Sequence, residues 1–128
     1  MGITQRYGIF ERGDVGFDTT KMTWAHWSAG VLAAVTGGIH LFLYLEQGFP
    51  AFLFAAVVFF GAIGALLLNL YRRLLYVLGI PFTAGQIVIW AAQGMPDMSI
   101  ALVDKPVQVL LILLLVYLFL NEDALVRQ

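Results

Sequence analysis

The two histidines of this chain are the side chains best suited to chemistry, and both lie within WAHWSAGVLAAVTGGIHLFLYL, residues 24–45. A neutral imidazole ligates metals and exchanges protons near physiological pH. Positions 26, 30, 33, 37, 40 and 44 advance by steps of four and three, which on an α-helix form a single stripe. The stripe reads His26, Gly30, Ala33, Gly37, His40, Tyr44. From His26 to His40 the helix rises about 21 Å and turns to within about 40° of its starting direction. The rings therefore sit toward opposite ends of one helix face, too far apart to share one metal.

Each could still hold a metal of its own. Histidines so spaced, with glycines between them, resemble the haem-bearing helices of membrane b-type cytochromes, where glycine lets a flat macrocycle approach the backbone. A bis-histidine haem b takes two axial ligands, and this chain has no third histidine. A parallel two-fold dimer would pair His26 with His26 and His40 with His40, and a partner subunit would serve equally. Lys21, Arg72 and Arg73 would then lie near the inner propionates, and Lys105 near the outer ones. The simpler expectation needs no cofactor and no metal. His26 sits in the headgroup region beside Trp24, His40 hydrogen-bonds Gln86, Gln93 or Gln108, and the small-residue stripe packs against another helix. A third expectation is a small-molecule or proton carrier working through His40, Glu46 and Gln86.

The elements that would position these residues are helices in lipid. The chain has 128 residues, 61% of them hydrophobic and 12% charged, with a mean hydropathy of +0.88, far outside the range of soluble domains this size. Asp, Glu, Lys and Arg are absent from 22–45, 47–71, 74–96 and 106–121. The first three runs exceed the roughly 20 residues that cross about 30 Å of hydrocarbon. The fourth reaches about 24 Å at 1.5 Å per residue, with uncharged residues 98–103 ahead of it. Backbone groups in lipid find partners only within their own helix. The expected fold is therefore all-α, an up-down-up-down bundle with spans at about 24–45, 50–71, 74–93 and 105–121.

Residues 1–23 read as a polar tail in which Ile3, Tyr7 and Phe10 allow a short interfacial helix, and 122–128 as a second tail. Asp18, Thr19 or Thr20 would cap the first span. Pro50 suits the first turn of span 2, whose stripe Ala51, Ala55, Val58, Ala62, Ala65, Asn69 predicts a tight hairpin with span 1. Helix packing is thus expected at Gly30, Ala33, Gly37, Ala62 and Ala65. Span 3 carries Gly79 and Pro81, which predict a kink, and the polar stripe Gly79, Thr83, Gln86, Trp90, Gln93. Thr83 and Gln86 fall within the membrane, where an unpaired amide is costly, so Gln86 should face protein. Asp104 and Pro106 suggest where span 4 starts. Its branched aliphatic composition suggests a peripheral, lipid-facing helix.

Placing both termini on one side gathers Arg6, Arg12, Lys21, Arg72, Arg73 and Arg127 there, with only Lys105 opposite. That asymmetry puts both termini in the cytoplasm. The absence of cysteine removes disulfides, thiolate sites and cysteine nucleophiles, and no signal peptide is expected. A net charge of −1 with no basic patch beyond Arg72-Arg73 gives no reason to expect nucleic acid. Glu46, Asp97 and Asp104 read as solvated loop charges. No phosphate loop, nucleophile motif or metal-spaced histidine pair occurs, so no catalytic residue is expected.

HWSAGVLAAVTGGIHL, YRRLLYVLGIPFTAGQIVIW and DKPVQVLLILLLVYL together resemble a family of small four-span integral membrane proteins of halophilic archaea, over roughly residues 24–120. The resemblance implies the four-helix topology and a cell-membrane home, and implies no activity. The expected function is that of a non-catalytic accessory or scaffolding subunit in the bilayer, self-associating or within a larger complex.

Overall fold

The computed structural model describes residues 22–126, and these form four α-helices. They are α1 (Trp24–Gln47), α2 (Pro50–Leu67), α3 (Arg72–Ala92) and α4 (Met98–Val126). All four are long and apolar enough to cross a membrane, and among the described residues there is no strand. The expected interfacial helix and the caps at Asp18, Thr19 and Thr20 lie outside the described residues.

The helix ends follow from local chemistry. Thr23 is the N-cap of α1: its backbone N–H donates to His26 Nδ1 at 2.9 Å, and its carbonyl accepts from Trp27 N at 3.1 Å. At the other end Gly48 takes the left-handed conformation, φ 75°, and its N–H closes on the Tyr44 carbonyl at 2.7 Å, a glycine stop. Pro50 opens α2 as expected. That helix ends at Leu67, short of the expected Tyr71, because Asn69 and Tyr71 both turn left-handed. The freed Leu66 carbonyl is taken up by Arg72, whose Nε and Nη2 lie 3.0 and 2.8 Å away. Helix α3 runs through Pro81 as one element.

The largest boundary correction is at α4. The helix begins at Met98, well before the expected 105, and Pro106 sits inside it. The N–H groups of Ile100 and Ala101 already turn back to the Asp97 carbonyl at 3.1 and 2.9 Å. Two turns into the helix, Pro106 has no N–H to give the carbonyl four residues before it. The loop from α3 is correspondingly tight, with Gly94, Met95 and Asp97 all at positive φ. The helix also extends past 121, so Glu122 belongs to it and not to a tail.

Packing runs α2 on α1, α1 on α4 and α4 on α3, while α2 and α3 meet least, chiefly through Phe82 against Phe54 and Phe59. The expected tight α1–α2 pairing is present. The expectation that span 4 is peripheral is wrong: α4 packs on two helices and contributes Ala101, Leu111 and Leu118 to the core. A helix of branched aliphatics fills a core as readily as it faces lipid, so composition alone could not separate the two.

The small-residue stripe of α1 divides between two environments. Ala33 and Gly37 are buried, and a Cβ on Gly37 would come within 3.1–3.3 Å of Phe59 and Phe60 on α2. A Cβ on Gly30 would meet nothing within 4 Å. Gly37→Leu should therefore lower stability by about 1–3 kcal/mol through overpacking. Gly30→Ala should raise it by about 0.5–1 kcal/mol by removing a helical glycine. Unfolding in mixed micelles with a rising fraction of denaturing detergent measures both.

Candidate functional site

The facing stripes of α1 and α4 bring buried polar groups together in two clusters. On α1 the buried positions include His26, Ala29, Ala33, Thr36, His40 and Leu43, again in steps of three and four. On α4 the matching row is Ala101, Asp104, Gln108, Leu111, Leu115, Leu118 and Glu122. Each row is polar toward both ends and aliphatic between them.

The first cluster centres on His26, which is fully buried within the bundle. Because Nδ1 accepts from the Thr23 N–H, the ring proton sits on Nε2, which donates to Glu122 Oε2 at 2.7 Å. The Tyr76 hydroxyl donates to the same carboxylate oxygen. Arg73 lies alongside, with Nη1 on the Phe119 carbonyl at 3.2 Å and its guanidinium 4.4 Å over the Phe119 ring. The two arginines expected beside haem propionates thus serve here to hold helix carbonyls.

The second cluster joins α1, α3 and α4. Thr36 Oγ1 donates to Asp104 Oδ1 at 2.6 Å. Lys105 Nζ donates to Asp104 Oδ2 at 3.0 Å and to Gln108 Oε1 at 3.1 Å. Gln108 Nε2 donates to Gln86 Oε1 at 2.7 Å and to Thr36 Oγ1 at 3.3 Å. His40 Nδ1 donates to the Thr36 carbonyl at 2.7 Å, and its ring packs on Phe52 and Phe59. Asp104 is only 3% exposed, so the expectation of a solvated loop charge is corrected there, whereas Glu46 and Asp97 are exposed. His40 bonds its own helix and not Gln86, Gln93 or Gln108. The glutamines 86 and 108 bond each other, and Gln86 faces protein as expected.

An ammonium can only donate, and that fact sets the direction of the whole second cluster. Lys105 must meet the carbonyl oxygen of Gln108, so the Gln108 nitrogen must face Gln86 and Thr36. Gln86 must then present its oxygen to Gln108, and its own Nε2 is left buried with no partner among the described residues. His40 donates through Nδ1 to a carbonyl, so its Nε2 carries a lone pair. Its tautomer is the opposite of that at His26.

Two spaces adjoin these groups. An outer cavity of about 510 Å³ is bordered by His40, Gln86, Asp104 and Lys105, with Phe52 and Trp90 among its apolar walls. A second, of about 490 Å³, lies between α2 and α3 and is walled by Gly30, Ala33, Gly61, Ala62, Gly79 and Thr83 among others. Thr83 is 1% exposed, and its hydroxyl has no partner among the described residues. Ala65, the remaining position expected to pack, is half-buried.

For a haem at each histidine, each ring needs a nitrogen free for iron. His26 has both nitrogens engaged, and His40 keeps Nε2. The residues thus fit one such ligand and not the pair. Among the described residues no group of three or more His, Asp or Glu side chains is placed to hold a metal ion. Thr36, Asp104, Tyr76 and Glu122 are the site residues that sequence reasoning passed over. The i, i+4 pair Asp104–Gln108 was their readable signal, hidden by starting the helix at Pro106.

His26→Phe and Tyr76→Phe should each cost about 1–2 kcal/mol, the scale of a hydrogen bond between helices in lipid. Because both donors use one oxygen of Glu122, the double variant should depart from additivity by at least about 0.5 kcal/mol. A double-mutant cycle on detergent-solubilised protein reads the coupling.

Comparison of the chain with protein families, curated proteins and solved structures finds no match to any of the three.

Proposed function

We propose that the chain is a multi-pass cell-membrane protein of up-down-up-down topology, with both termini in the cytoplasm and no catalytic role. It serves as an accessory or scaffolding subunit that associates through the cleft between α2 and α3 with a second copy of itself. The observation that carries this reading is the open side of the bundle. Three helix pairs are closed, and the fourth leaves a cleft of about 490 Å³ edged by glycine and alanine, with the unpartnered Thr83 hydroxyl in its wall. Small residues let a further helix approach closely, and such packing drives association where lipid supplies no hydrophobic force. The contacts His26–Glu122 and Gln86–Gln108 support alternating helix directions, and the skew of Arg and Lys supports the orientation. The likeness to membrane proteins of halophilic archaea agrees with this placement.

Gly61→Leu and Ala62→Leu test it. A Cβ on Gly61 meets nothing within 4 Å, so leucine there should fill the cleft and leave the monomer folded. Cross-linking in native membranes should show a dimer in the parent and a monomer in both variants. Unchanged association, or a monomeric parent, refutes the reading.

A second reading, a small-molecule or proton carrier at His40 and Gln86, is favoured by the buried Asp104 at the cavity. An ionisable residue inside a membrane protein marks a ligand or ion path by default. Proton-coupled uptake into vesicles, abolished by Gln86→Leu, is its expected signature.

A further inference from the structure

The outer cavity carries a specific chemical request. On its buried inner side two polar atoms are left without a partner among the described residues. Lys105 and Asp104 neutralise one another, and Asp97 at the exposed rim leaves the wall with a net negative charge, which disfavours an anion. Gln86 Nε2 is a buried donor without an acceptor among the described residues. His40 Nε2 is a lone pair without a donor among the described residues, since Nδ1 holds the ring proton on the Thr36 carbonyl. Around them stand Phe49, Phe52 and Trp90, and the space of about 510 Å³ admits a molecule of one or two rings. A buried donor left unpaired is costly and is rarely tolerated without a partner to meet it.

We propose that this cavity binds a neutral phenolic compound, which gives an O–H to His40 Nε2 and an oxygen lone pair to Gln86 Nε2 while its ring lies among Phe49, Phe52 and Trp90. In the smallest case one hydroxyl does both, because it is donor and acceptor at once. A carboxylate is disfavoured, having no proton to give His40 and lying beside Asp104. A simple amine is disfavoured as well, since its protonated form has nothing to offer Gln86. The proposal deepens the small-molecule reading of this site and shares its location with it. Binding and carriage are separate measurements, so vesicle uptake can fail while binding stands.

The test is titration calorimetry of the full-length protein in detergent with 1-naphthol and with 1-methoxynaphthalene, each corrected for empty micelles. The ether matches the ring and lacks only the O–H. The expected result is saturable 1-naphthol binding about tenfold tighter than that of the ether, the scale of one hydrogen bond in a dry site. His40→Phe keeps an aromatic ring and should erase that preference, whereas Gln86→Leu should weaken both compounds, because the ether keeps the oxygen that Gln86 Nε2 meets. Ala51→Trp stands on an exposed part of the cavity rim, away from the polar cluster, and should weaken both compounds together. Equal affinity of the two compounds for the parent protein means that the pair of atoms is met by water, and overturns the proposal. So does failure of 1-naphthol to bind, or a preference that survives in folded His40→Phe. The comparison of the two compounds needs no variant, so misfolding of one does not shelter the proposal.

Discussion

Everything in this bundle answers to one constraint, that a polar side chain enclosed by apolar helices must find its partner on a neighbouring helix. The chain places His26, Thr36 and His40 on α1, and Asp104, Gln108 and Glu122 on α4. Only by facing these two rows can most of the groups be satisfied. The apolar residues between the polar ends, Ala29 and Ala33 against Leu111 and Leu118, then fill the middle of the seam. Hydrophobic burial gives no register to a helix pair in lipid, since the tails are as apolar as leucine. The polar contacts supply it: a shift of α4 by one turn would separate Asp104 from Thr36 and Glu122 from His26 together.

A single lysine gives the outer cluster its direction. Amide groups can turn over and present either end, so a ring of glutamines and hydroxyls has no inherent polarity. Lys105 removes the ambiguity because it has no acceptor to offer. Each donor and acceptor from Gln108 to Gln86 follows from it in turn. The outcome is an unpaired N–H on Gln86, alongside an imidazole whose proton is held away from the cavity. The inner cluster has no comparable loose end, because the Glu122 carboxylate accepts from both His26 and Tyr76. Two sites built from similar residues therefore differ in kind, one with its central carboxylate doubly paired, the other bordering a cavity with an amide N–H unpaired.

The same economy explains the unequal helix contacts. Helices α1 and α4 set their buried polar residues against each other, and α3 joins them through Tyr76 on Glu122 and Gln86 on Gln108. Close approach there depends on Gly79, where a Cβ would lie 3.0 Å from Leu115 Cδ1. Helix α2 has no buried polar side chain and is held to α1 by aromatic and alanine packing. It meets α3 through the Phe82 ring against Phe54 and Phe59 and through Arg72 on the Leu66 carbonyl, and the cleft opens beside these few contacts.

The sequence by itself determined that the chain is helical and built from four apolar segments, because uncharged runs of this length have no other stable form in lipid. Pro50 and the packing of Gly37 and Ala33 were legible too, as local or single-helix properties. The start of α4 was not, since Asp104 and Pro106 look like a helix start until Asp97 is seen to open the helix a turn and more earlier. Of the stripe read on α1, His26, Ala33, Gly37 and His40 are buried, but the stripe left out Thr36, which meets α4. On a 3.6-residue helix adjacent positions straddle the same face, and only a partner decides which of them points into the seam. That partner is Asp104, 68 residues away. Which polar groups pair, which tautomer each histidine adopts and where a donor stays unpaired are properties of facing helices, and tertiary structure alone decided them.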